Sequence, residues 1–165
     1  MYYASLLGFE DKVRKVWADG SQLSIARGAH GNALNAVAIR GNLNIVRWIM
    51  QMYHDPIEIL HMDSIAREVG ANAKDIIFEL CSRIPASEIT ERVLTSAAQN
   101  WDSGRAVMEL LLEKKGDEIQ ITEGVITAAI ENEYSGRELT ELLLEKKGDQ
   151  IQITEGVITA TVGNL

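Results

Sequence analysis

Cysteine and proline are scarce in this chain: one Cys, Cys81, and two Pro in 165 residues. A single thiol excludes an internal disulfide framework and fits a reducing, cytoplasmic compartment. No apolar run approaches the ~18 residues a transmembrane helix needs. The opening Met1-Tyr2-Tyr3-Ala4 lacks the basic stretch of a secretory signal. There is no Gly-x4-Gly-Lys-Ser/Thr phosphate loop, so a nucleotide switch is not expected here. Gly28-Ala29-His30-Gly31 is glycine-rich but has no Lys-Ser after it, and reads as a turn. Hydrophobic residues make up 46% and charged residues 24%, the composition of a folding, soluble chain rather than a disordered one. The length suits one domain that buries roughly two-thirds of its unfolded surface if compact.

Positive charge is also short. Lys and Arg number 16 against 24 Asp and Glu, for a net charge of −8. Residues 1–56 carry +2, from six basic and four acidic groups, so residues 57–165 carry −10. Such a surface repels phosphate backbones, which argues against nucleic acid or an anionic membrane as partner. It is compatible with a partner that presents a basic surface.

The dominant signal is internal repetition. Residues 110–128 and 142–160 agree at eighteen of nineteen positions, 32 apart. Ile89-Thr90-Glu91, Ile121-Thr122-Glu123 and Ile153-Thr154-Glu155 keep the same spacing. The units run 89–120, 121–152 and a partial 153–165, preceded by a degenerate unit at 57–88. Each reads as two helices. Thr122 is placed to cap the first, with Glu123 favoured in its first turn by the helix dipole. Val125, Ile126, Ala129 and Ile130 form its apolar stripe, and Asn132 is a stop. Ser135-Gly136 opens the second helix, whose stripe is Leu139, Leu142 and Leu143. Lys146 and Lys147 suit its negative end, and Gly148 is placed as a left-handed C-terminal cap. Thr90, Ser103 and Gly116 repeat these roles one unit earlier. A lone hairpin cannot bury its stripes, but stacked hairpins share one core. The expected fold is all-α, a right-handed α-solenoid of helix-turn-helix repeats. The Ala97-Ala98 and Ala128-Ala129 pairs leave room for close helix approach. A coiled coil is excluded because the pattern breaks at glycine every 32 residues.

Residues 1–56 have their own period. Gly8-x4-Val13-x2-Val16 recurs as Gly41-x4-Val46-x2-Ile49, 33 residues on, which is the ankyrin length. Residues 31–50 resemble an ankyrin repeat: Asn32-Ala33-Leu34-Asn35 stand at its Thr-Pro-Leu-His positions, Val37-Ala38 at its Ala-Ala pair and Gly41 at its inter-helix glycine. Residues 4–20 resemble the end of a preceding repeat, with Ala4-Ser5 at the pair and Gly8 at the glycine. Residues 1–56 therefore read as two ankyrin-like repeats, the first truncated. The 32-residue units lack Thr-Pro-Leu-His and are one residue short. Together they resemble ankyrin arrays of filamentous-fungal proteins, which often lie C-terminal to a NACHT-type switch domain. The resemblance implies protein–protein recognition by a sensor or scaffold segment of a larger intracellular protein. Its alternative is a regulatory fragment of a nucleotide-hydrolysing switch whose catalytic domain lies elsewhere. Both ends are expected to cut a repeat.

No constellation points to catalysis, a cofactor or a metal. His54 and His61, with Asp55 and Asp63 nearby, are interrupted by Pro56 and have no second ligand pair. Cys81 aligns with Leu111 and reads as a buried, inert thiol. Glu109, Glu113, Glu141 and Glu145 recur by repeat geometry as solvated faces, with Arg105–Glu109 and Arg137–Glu141 spaced for i,i+4 pairs. Binding candidates come from two sources. The ankyrin resemblance, in which partners meet finger tips and first helices, implies Arg27, His30, Asn32, Asn35 and Arg40. Differences between near-identical units single out Trp101 and Tyr134, since Trp and Tyr supply many binding hot spots. Trp17 and Trp48 read as packing residues.

Overall fold

The computed structural model describes residues 2–19, 32–52, 61–151 and 154–157. Among these residues the helices α1 Tyr2–Leu6, α2 Glu10–Ala18, α3 Ala33–Ile39, α4 Leu43–Met52, α5 Met62–Glu68, α6 Ala73–Cys81, α7 Glu91–Ala98, α8 Gly104–Lys115, α9 Glu123–Ile130 and α10 Gly136–Lys147 follow in order. No strand occurs among the described residues. None of their helices is long and apolar enough to cross a membrane.

Packing follows the repeat. Each odd-numbered helix touches the next odd one, from α1 through α3, α5 and α7 to α9. On the other side α4 touches α6, α6 touches α8 and α8 touches α10. One apolar cluster runs from Val13 to Val157 through all of them. The periodic stripes supply it: Val93, Leu94 and Ala97 from α7, Val107 and Leu111 from α8, Val125 and Ala129 from α9, Leu139 and Leu143 from α10. The alanine pairs are buried, which lets α7 and α9 approach each other. A Cβ on Gly136 would lie 2.8 Å from the Ala129 carbonyl oxygen, so glycine sets the close start of α10 beside the end of α9.

The turn between the two helices of a unit is held by asparagine. Asn72 Nδ2 donates to the Gly41 carbonyl at 2.8 Å. Asn100 Nδ2 donates to the carbonyls of Ala66 and Val69 at 2.9 and 2.8 Å. Asn132 Nδ2 donates to Ala98 at 2.7 Å and Asn100 at 3.2 Å. Each amide thus satisfies carbonyls at the end of the preceding unit's first helix or in the turn after it, groups a helix leaves orphaned. Asn100 and Asn132 also accept two backbone N–H groups through Oδ1, which shapes their own turns. Asn132 does end the first helix, and it does so as a buried link between units.

Three local expectations are corrected. Thr122 is extended at the N-cap but makes no capping bond. Its hydroxyl donates to Glu91 Oε1 at 2.6 Å, which holds that carboxylate near the positive end of α9. Gly148 is not left-handed: with φ −51° and ψ −37° it continues into a 3-10 turn, Gly148–Gln150, and Gly116 does the same at φ −55°. The Gly116 and Gly148 carbonyls accept the Ile119 and Ile151 N–H groups of their own turns, and Lys147 Nζ adds a donor to the Gly116 carbonyl of the previous unit. Nothing lies within 4 Å of a Cβ built on Gly148. Gly148→Ala is therefore expected to raise stability by about 0.5–1 kcal/mol by reducing unfolded-chain entropy. A chemical denaturation midpoint below that of the parent would restore the left-handed assignment. Finally, Glu109 takes its ion pair from Lys74, at 2.8 Å, rather than from Arg105. The Lys74 ammonium hydrogen-bonded to Glu109 holds that carboxyl below the usual carboxylate range. Arg137–Glu141 forms as expected, at 2.9 Å.

Candidate recognition groove

Arg27, His30, His54 and Asp55 lie outside the described residues. Asn32 and Asn35 are buried, which removes them from the candidate contact surface. Asn32 Oδ1 accepts the Asn35 N–H at 2.9 Å and caps α3. Asn35 Oδ1 accepts the His61 N–H at 3.3 Å, joining α3 to the entry of α5. These side chains hold backbone, whereas the ankyrin resemblance implied that they meet a partner. Arg40 is exposed at the end of α3. Trp17 and Trp48 meet edge to face at 5.6 Å, with the Arg14 guanidinium 4.8 Å above Trp48. Cys81 is buried. His61 is exposed, and no group of metal-ligating side chains occurs among the described residues.

Trp101 and Tyr134 come together. Their ring centroids are 5.7 Å apart with planes 28° from parallel, and each residue is 70% exposed. They sit on consecutive turns at non-equivalent positions, since Trp101 corresponds to Glu133 and Asp102 to Tyr134. The turn sequences, Gln99-Asn100-Trp101-Asp102-Ser103-Gly104 and Glu131-Asn132-Glu133-Tyr134-Ser135-Gly136, differ at three places. Asparagine, serine and glycine are the same in both, and asparagine and glycine there carry the turn's bonds and close contacts. The differing residues are those left at the surface or half-buried.

A groove runs along the first helices from α5 to α9 and is lined at its α7–α9 end by Trp101. Its α5–α7 part encloses about 620 Å³ between Asp63, Arg67, Glu91, Arg92 and Thr95. Its α7–α9 part encloses about 530 Å³ beside Glu68, Trp101, Asp102, Ala128 and Glu131. Arg67 and Gln99 line both, so the two parts are continuous. Asp63 pairs with Arg92 at 2.7 Å, which neutralises one carboxylate and one guanidinium of the first part. In the second part Glu68, Asp102 and Glu131 outnumber Arg67. Acidity is therefore concentrated next to the aromatic pair. Among the described lining residues there is no histidine or cysteine, and the chemistry on offer is π-face contact, carboxylate hydrogen bonding and hydroxyl donation.

The groove was only half legible beforehand. The unit-to-unit differences identified Trp101 and Tyr134. The same comparison sets Asp102 opposite Tyr134, but nothing singles out Glu131 or Arg67 as neighbours, because charged residues are frequent along the whole chain.

Residues 88–108, 110–139 and 142–165 are similar to the family described as a domain of unknown function, DUF7104. The second and third segments begin at Leu110 and Leu142, one 32-residue unit apart. No curated protein and no solved structure matches the chain.

Proposed function

We propose that this chain is a non-enzymatic protein-recognition module: a right-handed α-solenoid of ankyrin-like repeats, of filamentous-fungal type, that forms a sensor or scaffold segment of a larger intracellular protein. The stacking is supported by the register of contacts, odd helix to next odd helix and even to next even, over a single continuous core. A repeat array of this kind works by presenting an extended surface whose exposed residues vary on a fixed frame.

The observation that carries the reading is the Trp101–Tyr134 pair. Two large aromatic side chains are 70% exposed, stacked across neighbouring units, and placed where otherwise near-identical units differ. Folding alone gives no reason to leave both in water, whereas an interface does. The test is affinity capture with the full chain, identification of the retained protein, and titration of that purified protein. The double variant Trp101→Ala with Tyr134→Ala is expected to weaken binding by about tenfold or more, with an unchanged unfolding midpoint. Undiminished affinity would remove this surface from the reading.

A further inference from the structure

We infer that the Trp101–Tyr134 pair and the carboxylates around it receive an arginine side chain from a basic, extended peptide segment of the partner. This rests on the recognition reading above and specifies its chemistry.

Three observations carry it. First, these aromatics differ from Phe9, Trp48 and Phe78, each of which has a cation over its ring. Lys12 stands 5.3 Å from the Phe9 ring centroid, Arg14 lies 4.8 Å above Trp48, and Lys114 lies 4.0 Å above Phe78. No cation among the described residues is seen over Trp101 or Tyr134, although both rings are more exposed than Phe9 or Phe78. Each ring of the pair is stacked on one side only, leaving a π-face open to an incoming cation.

Second, the surroundings are acidic. Asp102 follows Trp101 in the chain, Glu133 precedes Tyr134, and Glu131 lines the groove beside Trp101. None of the three carboxylates forms an ion pair among the described residues. A guanidinium is flat enough to lie on an indole or phenol face while its edge N–H groups reach a carboxylate in a two-point contact. An ammonium has no such plane. The arrangement therefore selects arginine over lysine.

Third, the groove gives the flanking peptide somewhere to go. It continues from Trp101 past Gln99 and Arg67 toward α5, where Asp63 and Arg92 already neutralise each other. An extended segment would thus place its cation at the aromatic end and uncharged or polar residues toward α5. The −10 charge of residues 57–165 steers such a segment in and makes association salt-dependent.

The experiment uses the full chain and four synthetic eight-residue Gly/Ser peptides. Their central pair is arginine, lysine, citrulline (the uncharged isostere of arginine) or glutamate. Binding is followed by NMR on the indole N–H signals, with Trp101 assigned through Trp101→Phe. The arginine peptide is expected to shift the Trp101 indole and leave Trp17 and Trp48 in place. The citrulline peptide should bind about tenfold more weakly, the lysine peptide in between, and the glutamate peptide not at all. Tyr134→Ala, and separately Asp102→Asn with Glu133→Gln, should each weaken the arginine peptide by about tenfold while circular dichroism is unchanged. Equal binding of the arginine and citrulline peptides, or no shift of the Trp101 indole by the arginine peptide, overturns the inference. If a captured protein still depends on Trp101 and Tyr134 when the arginine peptide fails, the recognition surface stands and only its basic occupant falls.

Discussion

Asn100→Ala is expected to destabilise the chain by about 3–4 kcal/mol, a large share of the ~5–15 kcal/mol that holds a typical domain folded. The side chain is 2% exposed and makes four hydrogen bonds. Two run from Nδ2 to the Ala66 and Val69 carbonyls of the preceding unit, and two reach Oδ1 from the N–H groups of Asp102 and Ser103. Truncation leaves several of these groups without partners, each at about 1–3 kcal/mol if water cannot reach it. Water reaches the exposed Asp102 end, which is why the expected total is below the sum. Urea unfolding followed by far-UV circular dichroism measures the loss. Asn100→Asp separates the roles of the two ends of the amide. It keeps the acceptor and replaces the donor with an oxygen that faces two carbonyls, so the carboxyl's folded-state pKa is raised. The penalty from its charge is full above that raised value, fades as pH falls through it, and is gone below the unfolded value. Asn100→Asp should therefore lose its excess instability on acidification, whereas Asn100→Ala should not. If Asn100→Ala unfolds within about 1 kcal/mol of the parent, the inter-unit bonds are not what holds this turn.

Gly41→Ala is expected to have a comparable effect, about 2–4 kcal/mol, for a different reason. Gly41 has φ +74°, where a side chain costs roughly 1–2 kcal/mol. A Cβ there would also lie 2.5 Å from the Ala71 carbonyl oxygen and 2.9 Å from its Cβ, so the next unit's turn would have to move away. That movement would strain the Asn72 bond to the Gly41 carbonyl as well. Gly8 has nearly the same dihedral, φ +72°, but its Cβ would meet only the Asn42 side chain, at 3.0–3.3 Å. A side-chain end can rotate away where a backbone cannot, so Gly8→Ala should be clearly milder. Thermal unfolding of both variants checks the ranking, and a Gly8→Ala loss equal to that of Gly41→Ala would refute the close-approach argument.

The contrast among the glycines shows how far sequence reasoning reached. Gly8 and Gly41 were placed at inter-helix turns by the ankyrin resemblance, and their positive φ fits that placement. Gly148 looked equally like a left-handed cap because it follows Lys146-Lys147 at a helix end. Its conformation is instead helical, and the terminal carbonyl of the previous unit's turn, at Gly116, is met by Lys147. The Ile119 N–H also donates to that carbonyl from within its own turn, but the Lys147 contact spans 31 positions and no local pattern reveals it. The same holds for Asn32 and Asn35. The ankyrin resemblance implied a contact surface for them, but both are buried, and their Oδ1 atoms accept backbone N–H groups there.

Local physics, repeated, was enough to determine the helices. Apolar spacing sets which face of each helix must leave water, and the 32-residue recurrence makes every unit present that face in the same way. Tertiary structure decided what a side chain meets across a unit boundary: that Asn100 binds backwards as well as to its own turn, that Glu109 turns to Lys74, and that Trp101 stacks on Tyr134. The physical reason is that helix and stripe arise from neighbours three and four residues apart, whereas these contacts depend on the rise and rotation between units. A single unit's sequence carries no record of that geometry.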